Sequence, residues 1–168
     1  GLSDTTVYLN VSAHTIMHQE FCKIFSRFVE ENGIKENEFG LEITETAELE
    51  DTKKAGESLE RLKKRGIKIA LDDFGAGYAS LKYIRDLPID VVKLDRHFTS
   101  NISDPSTSRL IKFVSDVCAE LNLEMIGEGI ETEKEKNMMI ELGCTTGQGF
   151  LMHMPSFIED IKKENNNG

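Results

Sequence analysis

The stretch "ALDDFGAGY" (residues 70–78) ends an apolar run with two adjacent aspartates and then enters a glycine-rich turn. The residues before it, 67–71, are apolar and β-branched enough to form a core strand. Asp72 and Asp73 repel each other, and even one ionised carboxylate is costly at the end of a buried strand. Neighbouring side chains on a strand point to opposite faces, so two acids in a row serve one site only where the chain turns. Gly75 and Gly77 allow such a tight turn. The pair therefore calls for positive charge close by.

Working outward, the same plan recurs: a short apolar strand, a loop, then an amphipathic helix. The expected strands are "VYLNVS" (7–12), "FGLEIT" (39–44), "IKIALDD" (67–73), "DVVKLD" (90–95), "EMIGEG" (124–129) and "TTGQGF" (145–150). Between them, helical spacing predicts helices over 14–32, 49–65, a short turn holding Leu81 and Ile84, and one opened by Asp104-Pro105. A further helix opens with the capping-box spelling Thr132-x-x-Glu135 and closes at Gly143, and a last one spans 156–164. Strands alternating with helices imply a parallel sheet. The fold class is α/β.

The polar residues choose between an open sheet and a barrel. Asn10, Glu42, Asp72 with Asp73, Lys93 with Asp95, Glu128 and Gln148 all stand at the C-terminal ends of their strands. That rim is where a (β/α)8 barrel builds its active site. Parity agrees, because Asn10 and Ser12, Glu42 and Thr44, and Lys93 and Asp95 share one face while Val11, Ile43, Val92 and Leu94 take the other. A barrel with a polar mouth follows. Charged residues at strand ends are often no more than solvated loop residues, but here six strands in succession end in groups able to bind a metal or substrate.

The rim inventory is carboxylates, two amides and one lysine, with no histidine. Oxygen ligands of this kind suit hard divalent ions such as Mg²⁺ or Mn²⁺ and not zinc. Adjacent aspartates could share two ions about 3.5–4 Å apart, the spacing of two-metal phosphodiester hydrolysis, and a lysine could orient water or offset developing negative charge. The chemistry points to metal-dependent cleavage of a phosphate ester, with the ester unspecified.

Composition narrows the setting. The 168 residues fit one domain, and a hydrophobic share of 39% with a charged share of 30% fits a globular protein. A net charge of −10 argues against binding DNA or RNA polymers. No apolar run reaches membrane-spanning length and no signal pattern opens the chain. Cys22, Cys118 and Cys144 form no CxxC pair and read as reduced thiols in a cytoplasmic protein. His14, His18, His97 and His153 read as surface or packing residues, and Met138, Met139 and Met152 as core filling. "TKKAGESLERLKKRG" reads as a solvated outer helix, since Glu57 and Glu60 interleave with its cations.

The motifs "LEITET", "ALDDFGAGYASL", "LPIDVVKLDRHF", "GEGIET" and "GCTTGQGF" resemble, in order and spacing, those of the EAL-domain family, the cyclic di-GMP phosphodiesterases of bacterial signalling, and "LNVSA" is similar to the family's Asn-x-Ser strand. The resemblance covers about residues 6–158. It implies a TIM-like barrel that hydrolyses cyclic di-GMP to pGpG with two Mg²⁺ or Mn²⁺ ions. Asn10, Glu42 and Asp72 then resemble ligands of the first metal, Asp73 a ligand of the second, and Glu128 the acid that completes the site. Lys93 matches the lysine near the attacking water, and Gln148 the glutamine close to that water and the substrate. Asp95, Arg96 and Glu131 fall on the substrate side or behind the ligands, with a local ion pair as the competing role for Arg96 and Glu131. Glu45, with Gly75 and Gly77, supports the loop after "DDFG", which in the family also supports dimerisation.

The sequence departs from the family in one respect: no Glu-Ala-Leu strand followed by arginine is present. Six strands stand where a closed barrel of roughly 250 residues has eight. The expectation is a single EAL-type domain over 1–168, the C-terminal two-thirds of the barrel, with a frayed tail at 165–168. As a fragment it should be impaired in isolation, with a sensory or GGDEF domain upstream in a parent protein. The sheet edges at 7–12 and 145–150 should be unpaired, favouring a homodimer or other self-association. The competing reading is a non-catalytic cyclic di-GMP receptor or interaction module. It has no need of both Asp73 and Lys93, and this sequence keeps both.

Overall fold

The computed structural model describes residues 6–35, 38–44, 51–76 and 80–157. Six strands, β1 (Val7–Asn10), β2 (Phe39–Thr44), β3 (Lys68–Phe74), β4 (Val91–Leu94), β5 (Glu124–Gly127) and β6 (Thr146–Gly147), form one sheet. Every neighbouring pair is parallel, and spatial order follows chain order. The sheet curls into a partial (β/α) barrel, as the alternating pattern and the rim parity require. Each expected strand is present; β1, β4, β5 and β6 are shorter than the sequence suggests.

The helix-facing side of the sheet holds the core. Leu41, Ile43, Ile69, Leu71, Val92 and Leu94 are fully buried, and all lie on the parity opposite to the rim acids. Against them pack α3 (Thr52–Lys63) through Ala55, Leu59 and Leu62, and α6 (Pro105–Glu120) through Ile111, Val114 and Cys118. The caps form as their spelling implies. Asp104 accepts from the Ser106 and Thr107 amides at the start of α6. Thr132 and Glu135 close a reciprocal capping box on α7 (Glu133–Glu141). The short α4 (Ser80–Asp86) precedes Pro88.

Several expectations are corrected. The helix over 14–32 is two, α1 (Ala13–Met17) and α2 (Gln19–Glu31), because His18 is extended between them at ψ 118°. On α2, whose three- and four-residue apolar spacing predicts a buried face holding Ile24, Phe25 and Phe28, the buried side chains are Cys22, Phe25 and Val29, while Ile24 and Phe28 are exposed. Leu110 on α6 and Leu121 at its C-cap, expected on one apolar face with Val114 and Val117, are exposed too. Met152 is exposed as well. A five-residue helix, α5 (Arg96–Ser100), was not expected; Asp95 caps it by accepting from the His97 amide at 2.7 Å. The predicted helix at 156–164 falls mostly outside the described residues. All four histidines are exposed, and the cysteines are buried free thiols, with Cys118 and Cys144 pushed up to about 11 by burial. Apolar side chains are exposed at both ends of the sheet: Val7 and Leu9 on β1, and Phe150 and Met154 beyond β6.

One irregularity positions the site. The β3–β4 register shifts between Leu71 and Phe74, and Asp73 sits there at φ +54°. The left-handed residue is the turn that the adjacent acids require, and it lets both carboxylates face one point. An L-residue pays about 1–2 kcal/mol in this conformation, and glycine does not. Asp73→Gly is therefore expected to exceed Asp73→Ala in stability by about 1 kcal/mol, read from chemical denaturation midpoints. Equal stabilities would mean the turn carries no strain.

Candidate active site

The rim residues converge from four adjacent strands. Glu42 comes from the end of β2, Asp72 and Asp73 from the bulge of β3, Lys93 from β4, and Glu128 from the residue after β5. Glu42 and Lys93 are only 8% and 4% exposed, unusually low for charged groups. The Lys93 Nζ lies 2.8 Å from Glu42 Oε1, 2.9 Å from Asp72 Oδ1 and 2.7 Å from Glu128 Oε1. Three carboxylates thus share one ammonium. Gln148, following β6, donates from Nε2 to the same Glu128 Oε1 at 2.9 Å.

The charges do not cancel. Glu42, Asp72 and Glu128 share one ammonium, and Asp73 adds a further carboxylate beside Asp72 and Glu128. Oxygens of Asp72, Asp73 and Glu128 all lie within 4.8 Å of one another. Burial raises the Glu128 pKa above the ordinary carboxylate range; Lys93 opposes this, while Asp72 and Asp73 add to it. For Lys93, burial pulls downward, but Glu128, Glu42 and Asp72 outweigh it and the pKa is raised. Lys93 is therefore a permanent cation at physiological pH and cannot serve as a general base.

The three close carboxylates fit a divalent cation. Asp72 Oδ1 is buried without a hydrogen bond, since its 2.9 Å approach to Lys93 is an ion pair outside hydrogen-bonding geometry. A buried anionic oxygen left short of donors, beside two other carboxylates, is a donor set for a hard ion.

Other expected residues stand further off. Asn10 lies opposite Glu42 in the β1–β2 register and is exposed. Asp95 spends one oxygen on the cap of α5. Arg96 and Glu131 are exposed, and no ion pair joins either to a partner among the described residues, so the local ion-pair role is not seen. Gly75 turns at φ +96°, and a Cβ there would come 2.1 Å from Cε2 of Phe98, so the turn after Asp73 packs against α5 and admits only glycine. Glu45 and Gly77 lie outside the described residues. The sequence reading missed α5, whose cap is spelled by Asp95, and it missed Tyr8, an apolar-looking strand residue with no motif to mark it.

Comparison with known proteins accords with this arrangement. The family model described as EAL domain matches residues 2–155. The chain belongs to the EAL-domain family. It is 38% identical over 149 residues to the cyclic di-GMP phosphodiesterase PdeA of Borreliella burgdorferi, covering 88% of this chain and 22% of that protein. It is 33% identical over 155 residues to a cyclic di-GMP phosphodiesterase of Pseudomonas aeruginosa, covering 92% and 26%. The chain thus spans about a quarter of the length of these curated relatives. The crystal structure of the EAL domain of Mycobacterium smegmatis DcpA superposes with a TM-score of 0.91 at 29% identity, covering 97% of this chain and 74% of that one.

A raised carboxyl pKa has a definite sign in stability. The protonated form of Glu128 is favoured by the fold, so its contribution is complete below the unfolded value of about 4.3 and is lost as pH rises through the higher folded value. Glu128→Gln in chelator should flatten the fall in Tm across that interval. An unchanged profile would show that Glu128 does not titrate there.

Proposed function

We propose that this chain is a metal-dependent phosphodiesterase unit that hydrolyses cyclic di-GMP to the linear dinucleotide pGpG in bacterial second-messenger signalling. The observation that carries the reading is the carboxylate group of Asp72, Asp73 and Glu128 gathered beside the buried ammonium of Lys93. The names of its relatives supply the substrate.

Asn10, Glu42 and Asp72 are assigned to one Mg²⁺ or Mn²⁺ ion and Asp73 to a second, with Glu128 as the acid that completes the metal site. Ions bound there would set positive charge against the phosphodiester and make a nearby water more acidic. The chain's own groups then have separate tasks. Lys93, always charged, stabilises negative charge developing on the phosphate oxygens. Glu128, whose pKa burial raises, is assigned a catalytic part beside its place in the metal site. Gln148 fixes the orientation of Glu128 through its amide. Burial of Glu42 and Lys93 excludes water from the inner side of the site and strengthens every charge interaction within it. Asp95 and Arg96, opening α5, and Glu131 are assigned to the substrate side, and Glu45, Gly75 and Gly77 to support of the loop after β3.

The test is turnover of cyclic di-GMP with Mn²⁺ and chromatography of the products, on this chain and on one extended upstream. The expected product is pGpG. Asp73→Asn should lower turnover by at least about a hundredfold while Tm is kept, and Lys93→Met should abolish turnover together with a fall in Tm, since it leaves three carboxylates without their cation. Binding of the dinucleotide without cleavage by either chain would replace the enzyme with a receptor.

The reading places the protein in the bacterial cytoplasm; no helix among the described residues is long and apolar enough to cross a membrane. It includes self-association as a homodimer. The exposed Leu110, Phe113 and Leu121 along α6, and the apolar groups at both sheet ends, support a contact between copies. Sedimentation at micromolar concentration should give a dimer that Phe113→Glu weakens, and a clean monomer would remove this part of the proposal.

A further inference from the structure

The inner face of the sheet holds, below the acids, a contact that no motif marks. Tyr8 on β1 pairs in register with Gly40 on β2, and Asn10 with Glu42 two residues further on. The Tyr8 ring lies against Gly40: a Cβ at residue 40 would stand 2.3 Å from Cε1 and 2.4 Å from Cδ1. Residues 40 and 42 share a face, so the ring fills the place directly beneath the Glu42 side chain. Ala70 and Val91, on the same inner face, are small and fully buried. Gly40, with no side chain, leaves room that the phenol ring occupies, and Ala70 stands opposite Glu42 one step further along the same face.

The charges around the phenol agree with that position. Burial first, then Glu124, Asp90 and Glu42, push the Tyr8 hydroxyl up to about 12, and Lys93 pulls the other way. Tyr8 thus feels the Glu42–Lys93 pair at the rim and the Asp90 and Glu124 carboxylates at the lower, N-terminal ends of β4 and β5. Those lower acids have their own partners: Lys63 meets Asp90 at 2.7 Å and Lys68 meets Glu124 at 3.6 Å.

We infer that Tyr8 is a positioning residue: its ring, seated on Gly40, is the floor that fixes the Glu42 carboxylate and keeps water from the underside of the Glu42–Lys93 pair. The ring does this by its bulk, not by its hydroxyl. Water entering from below would screen the pair, free Glu42 to change rotamer, and loosen the carboxylates that Lys93 holds together. The inference deepens the phosphodiesterase reading and rests on it only for the metal-binding consequence.

Two measurements separate the inference from that reading. The first needs neither metal nor substrate: exchange of the Lys93 ammonium protons with water, followed by NMR of ¹⁵N-lysine protein in chelator. Tyr8→Ala should speed exchange by about tenfold or more, Tyr8→Phe should leave it within about twofold, and Gly40→Ala, which pushes the ring off its seat, should behave like Tyr8→Ala. The second is Mn²⁺ affinity by calorimetry without substrate, where the same two variants should bind about tenfold more weakly and Tyr8→Phe should not. Should Tyr8→Ala fail to fold, Gly40→Ala and Tyr8→Leu carry the test, with exchange faster than in the parent in both. Parent-like exchange in any folded variant that lacks the seated ring overturns the inference. Equal losses in Tyr8→Phe and Tyr8→Ala overturn it too, because the hydroxyl would then be the working group. If the parent binds no Mn²⁺, the metal reading fails while the exchange result still decides the role of Tyr8.

Discussion

One lysine holds the inner rim together. Without Lys93, the carboxylates of Glu42, Asp72 and Glu128 would meet in a buried space with no nearby cation, at a cost no packing could offset. With it, the C-terminal ends of β2, β3 and β5 are tied to β4, and three carboxylates share one cation. That imbalance distinguishes a site from a structural ion-pair network. A purely structural cluster would be expected to balance its charges, whereas here Asp72 retains a buried oxygen without a hydrogen bond and burial still raises the proton affinity of Glu128.

The backbone supports the same end. A regular strand cannot point two consecutive side chains at one target, so β3 breaks its own register and puts Asp73 in a conformation L-residues avoid. The turn that follows is wedged against Phe98 and admits only glycine. Strain at this point is tolerable because the rest of β3 is anchored by fully buried side chains on its other face. Packing on one side of the strand thus stabilises an unfavourable geometry on the other.

Much of this was readable beforehand, and the limits have physical causes. Strand positions, parallel order and the gathering of Glu42, Asp72, Asp73, Lys93, Glu128 and Gln148 follow from parity and from polar residues falling at strand ends, both of which are periodic signals. Helix faces were less legible. On α2, cysteine and valine are buried in place of the more apolar Ile24 and Phe28, because the geometry of contact with the sheet outranks hydrophobicity. The break at His18 left no signal, since neither proline nor glycine marks it. Tyr8 was invisible for another reason: its role depends on a glycine 32 positions away, and only the strand register brings the two together.

The order of strands in the sheet, identical to their order along the chain, also bears on how the molecule assembles. A growing polypeptide can add each strand to the edge left by the one before, with no earlier strand obliged to wait for a distant partner. The acids, however, arrive ahead of their full complement. Glu42 and Asp72 emerge before Lys93, and Glu128 only after it, so the first carboxylates must stay hydrated until β4 brings the lysine. The sheet can grow one strand at a time, but its mouth can dry out only when the chain has passed β5.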